Sequence, residues 1–169
     1  MSTVHLHLLL NHVPVIGMII GLCLLAWAVL RKDQGLGRVT LGLFAVLAVV
    51  ALATFLTGEP AEEAVEGLAG VSEDVIERHE EAAMLATIAL GVLGALSLGA
   101  LLRLRNRTFP RRTMVLFLAL ALVPAGMMAW TANLGGQIRH TEIRTGAVAQ
   151  GSAGGQEGAN AMEAGEHED

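Results

Sequence analysis

The chain has 169 residues, 53% of them apolar and only 4% aromatic, with a mean hydropathy of +0.57 and a formal net charge of −5. This balance excludes an ordinary soluble domain and a disordered chain, and the length suits a single domain. One cysteine, Cys23, excludes an intrachain disulfide and is expected to be ordinary packing among the leucines and alanines around it.

The apolar residues are continuous. Residues 13–30, 39–57, 82–102 and 113–135 carry no formal charge over runs of 18 to 23 residues, near the ~20 that cross a ~30 Å hydrocarbon core. Backbone groups in lipid must be satisfied within the segment, and runs this long and uniform do not suit barrel strands, so helices are predicted. The expected fold class is all-α: an integral membrane four-helix bundle over residues 1–145, with spans at about 12–30, 39–57, 79–102 and 112–135 and a flexible acidic tail over 146–169.

Charge gives the orientation. Arg31, Lys32 and Arg38 lie between the first two spans, and Arg103, Arg105, Arg107, Arg111 and Arg112 lie between the last two. The opposite side holds 15 of the 16 acidic residues. The positive-inside rule places both Arg-rich loops in the cytoplasm of a bacterium and leaves the N-terminus, the 58–81 loop and the C-terminal tail outside its inner (cytoplasmic) membrane. The negative net charge is then a property of the outer face, and nothing indicates a nucleic-acid partner. The first span has no basic residue before it and no small-residue cleavage pattern after it, so it reads as a retained anchor.

In chain order, the N-terminal stretch holds His5, His7 and His12 ahead of Pro14. Proline costs about 3 kcal/mol inside a helix but little in a first turn, so Asn11 is expected as N-cap. The alternative is a helix that starts near Val4 and kinks at Pro14, sharing one face between His5 and His12 and another between His7 and Asn11. Gly17 and Gly21 on span one, and Gly91, Ala95 and Gly99 on span three, have the spacing that lets helices approach closely or leaves room for a flat cofactor. Trp27 and Trp130 lie near span ends, where indoles settle at headgroup depth. Gly58 suits a helix stop, and Pro60 the first turn of a short extramembrane helix bearing Glu62, Glu63 and Glu66. Ser72 followed by Glu73, Asp74 and Glu77 reads as the start of helix three, so that His79 rides on two turns standing proud of the membrane. Pro124 is expected to kink span four and Gly135-Gly136 to end it, with His140 just beyond. The tail from Gly146 shows no apolar periodicity, and its His167 reads as solvated.

Counted at ~1.5 Å per residue, His12, His79 and His140 fall within roughly 8 Å of one plane at the outer interface, where Glu59 joins them. Ionisable groups at such depth usually face the bundle interior and mark function, although a histidine among glutamates also serves as a paired surface residue. Imidazoles suit haem iron, copper or zinc. His12 and His79 are the candidate axial ligands of a haem b, brought together on diagonal spans, with His7 or His140 as substitutes and Arg78, Arg139 or Arg144 available for propionates. A copper or zinc site would draw on His5, His7, His12, His79 and His140 with Glu59 or Glu62. Neither a His-Glu-x-x-His zinc motif nor a cysteine haem-attachment motif is present. The function expected is that of an electron-transfer or accessory membrane subunit, rather than a stand-alone enzyme. Beyond membrane lipid, its expected partners are respiratory or photosynthetic membrane subunits or an extracytoplasmic redox protein. The alternative is a non-catalytic subunit whose acidic face docks an extracytoplasmic partner.

Three motifs carry a resemblance: His7-Leu-Leu-Leu-Asn11-His12-Val-Pro14, Leu56-Thr-Gly-Glu-Pro-Ala-Glu-Glu63 and Ile76-Glu-Arg-His-Glu-Glu81. Together they resemble a group of uncharacterised bacterial four-span membrane proteins. The layout is similar to a wider family of membrane proteins of unknown function whose first span begins with a His-x-Pro element. The resemblance covers residues 5 to about 140 and implies the fold and topology. Redox or haem association is suspected for the wider family, and no activity carries over.

A cysteine introduced at Gly67 should react with a membrane-impermeant thiol reagent in intact cells, and one at Asn106 should not. The opposite labelling pattern would invert the orientation.

Overall fold

The structure is a computed structural model that describes residues 3–64 and 71–140. Six helices follow in order: α1 (Thr3–Leu10), α2 (His12–Arg31), α3 (Gln34–Leu56), α4 (Glu59–Glu63), α5 (Glu73–Arg103) and α6 (Arg111–Arg139), and no strand occurs among the described residues. Four stretches, Val4–Arg31, Gln34–Leu56, Glu73–Arg103 and Arg111–Ile138, are long and apolar enough to cross a membrane. The acidic tail over 146–169, Glu66 and Arg144 lie outside the described residues, as does the side chain of Arg139.

The first span is longer than its uncharged run. Asn11 keeps right-handed helical angles, makes no side-chain cap, and its N–H bonds His7 O at 2.9 Å. The helix therefore continues through it instead of starting there, which corrects the N-cap expectation. Pro14 leaves the Leu10 carbonyl without its donor, and this is the physical reason that the helical hydrogen-bond ladder is interrupted between α1 and α2. At the other end of the bundle, α2 and α3 are joined by a two-residue turn. Lys32 takes a left-handed conformation there (φ 57°), and the Asp33 carboxylate accepts from Leu36 N at 3.0 Å to cap α3. α4 begins around Pro60 as expected, and α5 begins at Glu73 after an extended Ser72 whose carbonyl, not its hydroxyl, receives the first-turn N–H groups. α6 contains Pro124 and continues beyond Gly135-Gly136 to Arg139, which corrects the expected stop.

The four long helices form a closed square. α2 packs on α3, α3 on α5, α5 on α6 and α6 on α2, so spans one and three are diagonal. Phe44 and Leu41, both fully buried on α3, sit in its centre with Met18, Leu25, Leu90 and Met114. Outward faces are apolar as well: Ile16, Ile19, Val46, Val49, Ile88, Val92 and Leu122 are each about half exposed or more. A chain that leaves this much hydrocarbon uncovered while forming a packed interior is built for an apolar surrounding.

Glycines set the spacing of the square, and only some of the expected ones take part. A side chain at Gly17 would collide with Leu47, and one at Gly21 with Phe44, so span one does approach α3 closely through them. On α5 the expected stripe points away: a Cβ added at Gly91 or Gly99 would meet nothing within 4 Å. The contact with α3 is made by Gly94, where a Cβ would lie 2.5 Å from Ala48 Cβ and 3.1 Å from Phe44 O. Cys23, expected inside the packing, is exposed on the outer face of α2. Gly94→Ala should destabilise the bundle by about 1–3 kcal/mol because a backbone carbonyl cannot move aside. Gly91→Ala should leave thermal melting in detergent unchanged or slightly raised, and equal losses at both positions would contradict this packing.

Candidate functional site at the histidine end

At the end of the bundle bearing α1 and α4, the helices bring two imidazoles inward. His7 is half-buried on α1, which lies against α2, α3 and α4. Its Nδ1 is 3.1 Å from Thr54 O and 3.3 Å from Thr57 Oγ1. Thr54 lies in the last turn of α3, and its carbonyl also accepts from Thr57 N at 3.2 Å and Thr57 Oγ1 at 2.8 Å, so the imidazole N–H adds a donor from another helix to a carbonyl already engaged at the helix end. His79 is half-buried on the second turn of α5, and its Nδ1 is 3.0 Å from Thr131 O on α6. The ring lies close against Gly135, where a Cβ would come within 3.0 Å of Cε1 and 3.3 Å of Nδ1. Only a residue without a side chain leaves that place for the imidazole.

In each neutral ring the carbonyl partner selects the Nδ1–H tautomer, because a carbonyl accepts and cannot donate. Nε2 is then left as a lone-pair donor. This is how metal-binding histidines are commonly oriented, with one nitrogen tied to a carbonyl and the other free. One turn further along α1, Asn11 Oδ1 is buried without a hydrogen-bond donor, on the same helix face as His7.

The other expected site residues are arranged differently. His12 is exposed, and its Nδ1 lies 3.2 Å from Leu8 O on its own helix. Once α1 and α2 run as one nearly continuous helix, His12 shares the outward face with His5 while His7 turns in, so the inward-turned histidine on the span diagonal to that of His79 is His7, not His12. His5 and His140 are exposed, with His140 at the end of α6, its N–H bonded to Gly136 O. Arg78 is paired with Asp74 at 3.2 Å, both well exposed, an arrangement worth only about 0–1 kcal/mol. It lines a largely apolar groove of about 380 Å³ between α5 and α6, with Glu81, Leu85, Met127, Trp130 and Leu134. Glu59 is exposed, and Glu62 lines an acidic cleft with Glu73, Glu77 and Glu80. Among the described residues, no three His, Cys, Asp or Glu side chains converge in a way that could hold a metal ion. The expected copper or zinc cluster is therefore not assembled by them.

Thr54 and Thr131 carry no signal in the sequence, Thr57 stands there only within a motif, and Gly135 reads there only as a helix stop. Threonine and glycine inside an apolar run signal packing as readily as function, and the relevant atoms of Thr54 and Thr131 are backbone carbonyls, which any residue carries.

His79→Ala and Gly135→Val each remove the His79–Thr131 bond, one by deleting the ring and the other by occupying its place. The double variant should therefore melt no lower than the more damaging single variant. Gly126→Val, at a position with open space, serves as the control. Additive losses would show that Gly135 and His79 do not act as a unit.

Comparison with known protein families, with curated proteins and with solved structures finds no match to this chain.

Proposed function

We propose that this chain is a small multi-pass protein of the bacterial cytoplasmic membrane whose histidine end faces outward, and that His7 and His79 there hold a haem b used for electron transfer. The observation that carries the reading is the pair of Nδ1-to-carbonyl bonds, His7 to Thr54 O and His79 to Thr131 O, which leave two Nε2 lone pairs at one end of a helical bundle. Donor number favours haem over copper or zinc. A tetrahedral zinc site draws three or four ligands from the protein, whereas haem brings four equatorial nitrogens and needs only axial ones. The donor set fits on these grounds: two imidazoles held on separate helices, each with its tautomer fixed. Haem iron, when bound, would supply a one-electron couple. The chain's own part is to orient both imidazoles and shield them from lipid, with α1 packed against α3 and α4 at that end. Arg78, held only by an exposed ion pair, is available to a propionate. The motifs around His7 and His79 resemble those of uncharacterised bacterial four-span membrane proteins, whose layout is similar to that of a wider family suspected of redox or haem association.

A second reading is favoured by the acidic rim. Glu59, Glu63, Glu73, Asp74, Glu77, Glu80 and Glu81 are all exposed around the histidine end, and Arg78 is the one arginine set among them on α4 and the first turns of α5. A subunit that docks an extracytoplasmic partner with a basic face would use that rim, and His7 and His79 would then be fasteners of helix ends. In that case the same two bonds hold α1 and α6 in place without a cofactor.

Reduced-minus-oxidised visible spectra of membranes containing the expressed protein separate the readings. Haem b bands should appear, His7→Ala and His79→Ala should each abolish or shift them, and His12→Ala and His167→Ala should leave them unchanged. A protein that folds and shows no haem absorption would refute the haem assignment. Metal analysis of the same preparation would report copper or zinc.

A further inference from the structure

The opposite end of the bundle carries a second surface, independent of the histidines. Lys32, Arg103, Arg105, Arg107 and Arg112 are exposed there with no side-chain hydrogen bond or ion pair within the described residues. Two further cations flank them: Arg31, whose guanidinium sits 5.8 Å from the Trp27 ring centroid, and Arg111, whose Nε donates to Val29 O at 3.1 Å. The only carboxylate in this part of the chain, Asp33, is committed to capping Leu36 N. The next acidic residue in sequence is Glu59, at the far end of α3. Seven like charges thus stand together without protein counter-ions among the described residues.

The loop that carries several of them is held in place. Arg38, half-buried on α3, donates Nη2 to Leu104 O at 2.8 Å and also to Arg107 O, and its guanidinium lies 5.4 Å from the centre of the Phe109 ring. Phe109 is fully buried, and its N–H bonds Gln34 Oε1 at 2.7 Å. Residues 104–109 are therefore clamped onto the bundle, and Arg105 and Arg107 project from a fixed backbone.

Depth identifies the counter-ion. Leu30, Val39 and Leu102 are 63–69% exposed, and Trp27 is 57% exposed, all within about a turn of these cations. Such apolar side chains belong in hydrocarbon and an indole at its edge, so the cations lie at the level of lipid phosphates. We propose that this end of the bundle is a binding surface for anionic phospholipid headgroups, whose phosphates supply the counter-charge that the chain lacks. A soluble polyanion would have to reach cations already bedded among headgroups, so lipid is the favoured source.

The test uses the full chain reconstituted in nanodiscs of phosphatidylcholine alone or with phosphatidylglycerol, read by thermal melting. Anionic lipid should raise Tm. The gain should vanish at about 1 M salt, where the screening length is about 3 Å, and in Arg105→Gln/Arg107→Gln/Arg112→Gln. The matching triple Lys replacement, which keeps the charge, should retain it. An identical Tm in both lipids, or a Gln variant that keeps the full gain, would overturn the proposal. Polyphosphate stabilising the phosphatidylcholine sample as strongly as phosphatidylglycerol would also overturn it, in favour of a soluble polyanion. The salt titration of the unmodified protein decides the matter even if the Gln variant does not assemble. None of these readouts depends on haem absorption, so this surface and the histidine site stand or fall separately.

Discussion

A carbonyl at the end of an apolar helix has no helical donor, and in a low-dielectric surrounding it cannot rely on water. At its helix ends this chain adds donors from distant side chains to local ones such as Thr57 N on Thr54 O and Arg107 N on Leu104 O. Arg38 reaches Leu104 O and Arg107 O, Arg111 reaches Val29 O, and His7 reaches Thr54 O. His79 makes the same kind of bond to Thr131 O, further inside α6. Each of these bonds ties one helix to another helix or to the loop beyond it, so satisfying the backbone also closes the ends of the square. Between the ends the threonines look after themselves: Thr40, Thr54 and Thr131 return their hydroxyls to the carbonyl four residues back.

The two ends solve the same problem with different chemistry. Arginine stays charged and forks over several acceptors, which suits a clamp on a loop. Histidine gives one N–H to the carbonyl and keeps a second nitrogen, so it closes a helix end and remains a potential ligand. An arginine in place of His7 could hold Thr54 O but would leave no lone pair. The choice of residue at the histidine end is thus what admits a cofactor reading there, and the arginine end admits only an anionic partner.

Close approach is the second constraint on the square. Gly17, Gly21 and Gly94 bring α2 and α5 against α3 near Phe44 and Leu47, and Gly135 lets His79 lie flat on α6. The open positions of Gly91 and Gly99 show that spacing alone does not reveal which small residues are used. Rotation of α5 about its axis decides this, and that rotation follows from which face its buried residues Ala86, Leu90, Leu93 and Ser97 present to the interior.

The sequence by itself determined the number of membrane-length helices, because uncharged runs of about twenty residues admit little else in lipid. It also determined the segregation of histidines and carboxylates from the arginine loops, since short connections force successive helices to run in opposite directions. Only the tertiary structure decided which histidines turn into the bundle. The expected pair was His12 and His79, resting on Asn11 as a helix start. The helix instead runs on from Thr3 and turns His7 inward, a change of facing that single-residue periodicity cannot settle next to a proline. Both histidines bond backbone carbonyls, which every residue has and no sequence pattern marks. Their recruitment depends on where one helix end comes to lie against another.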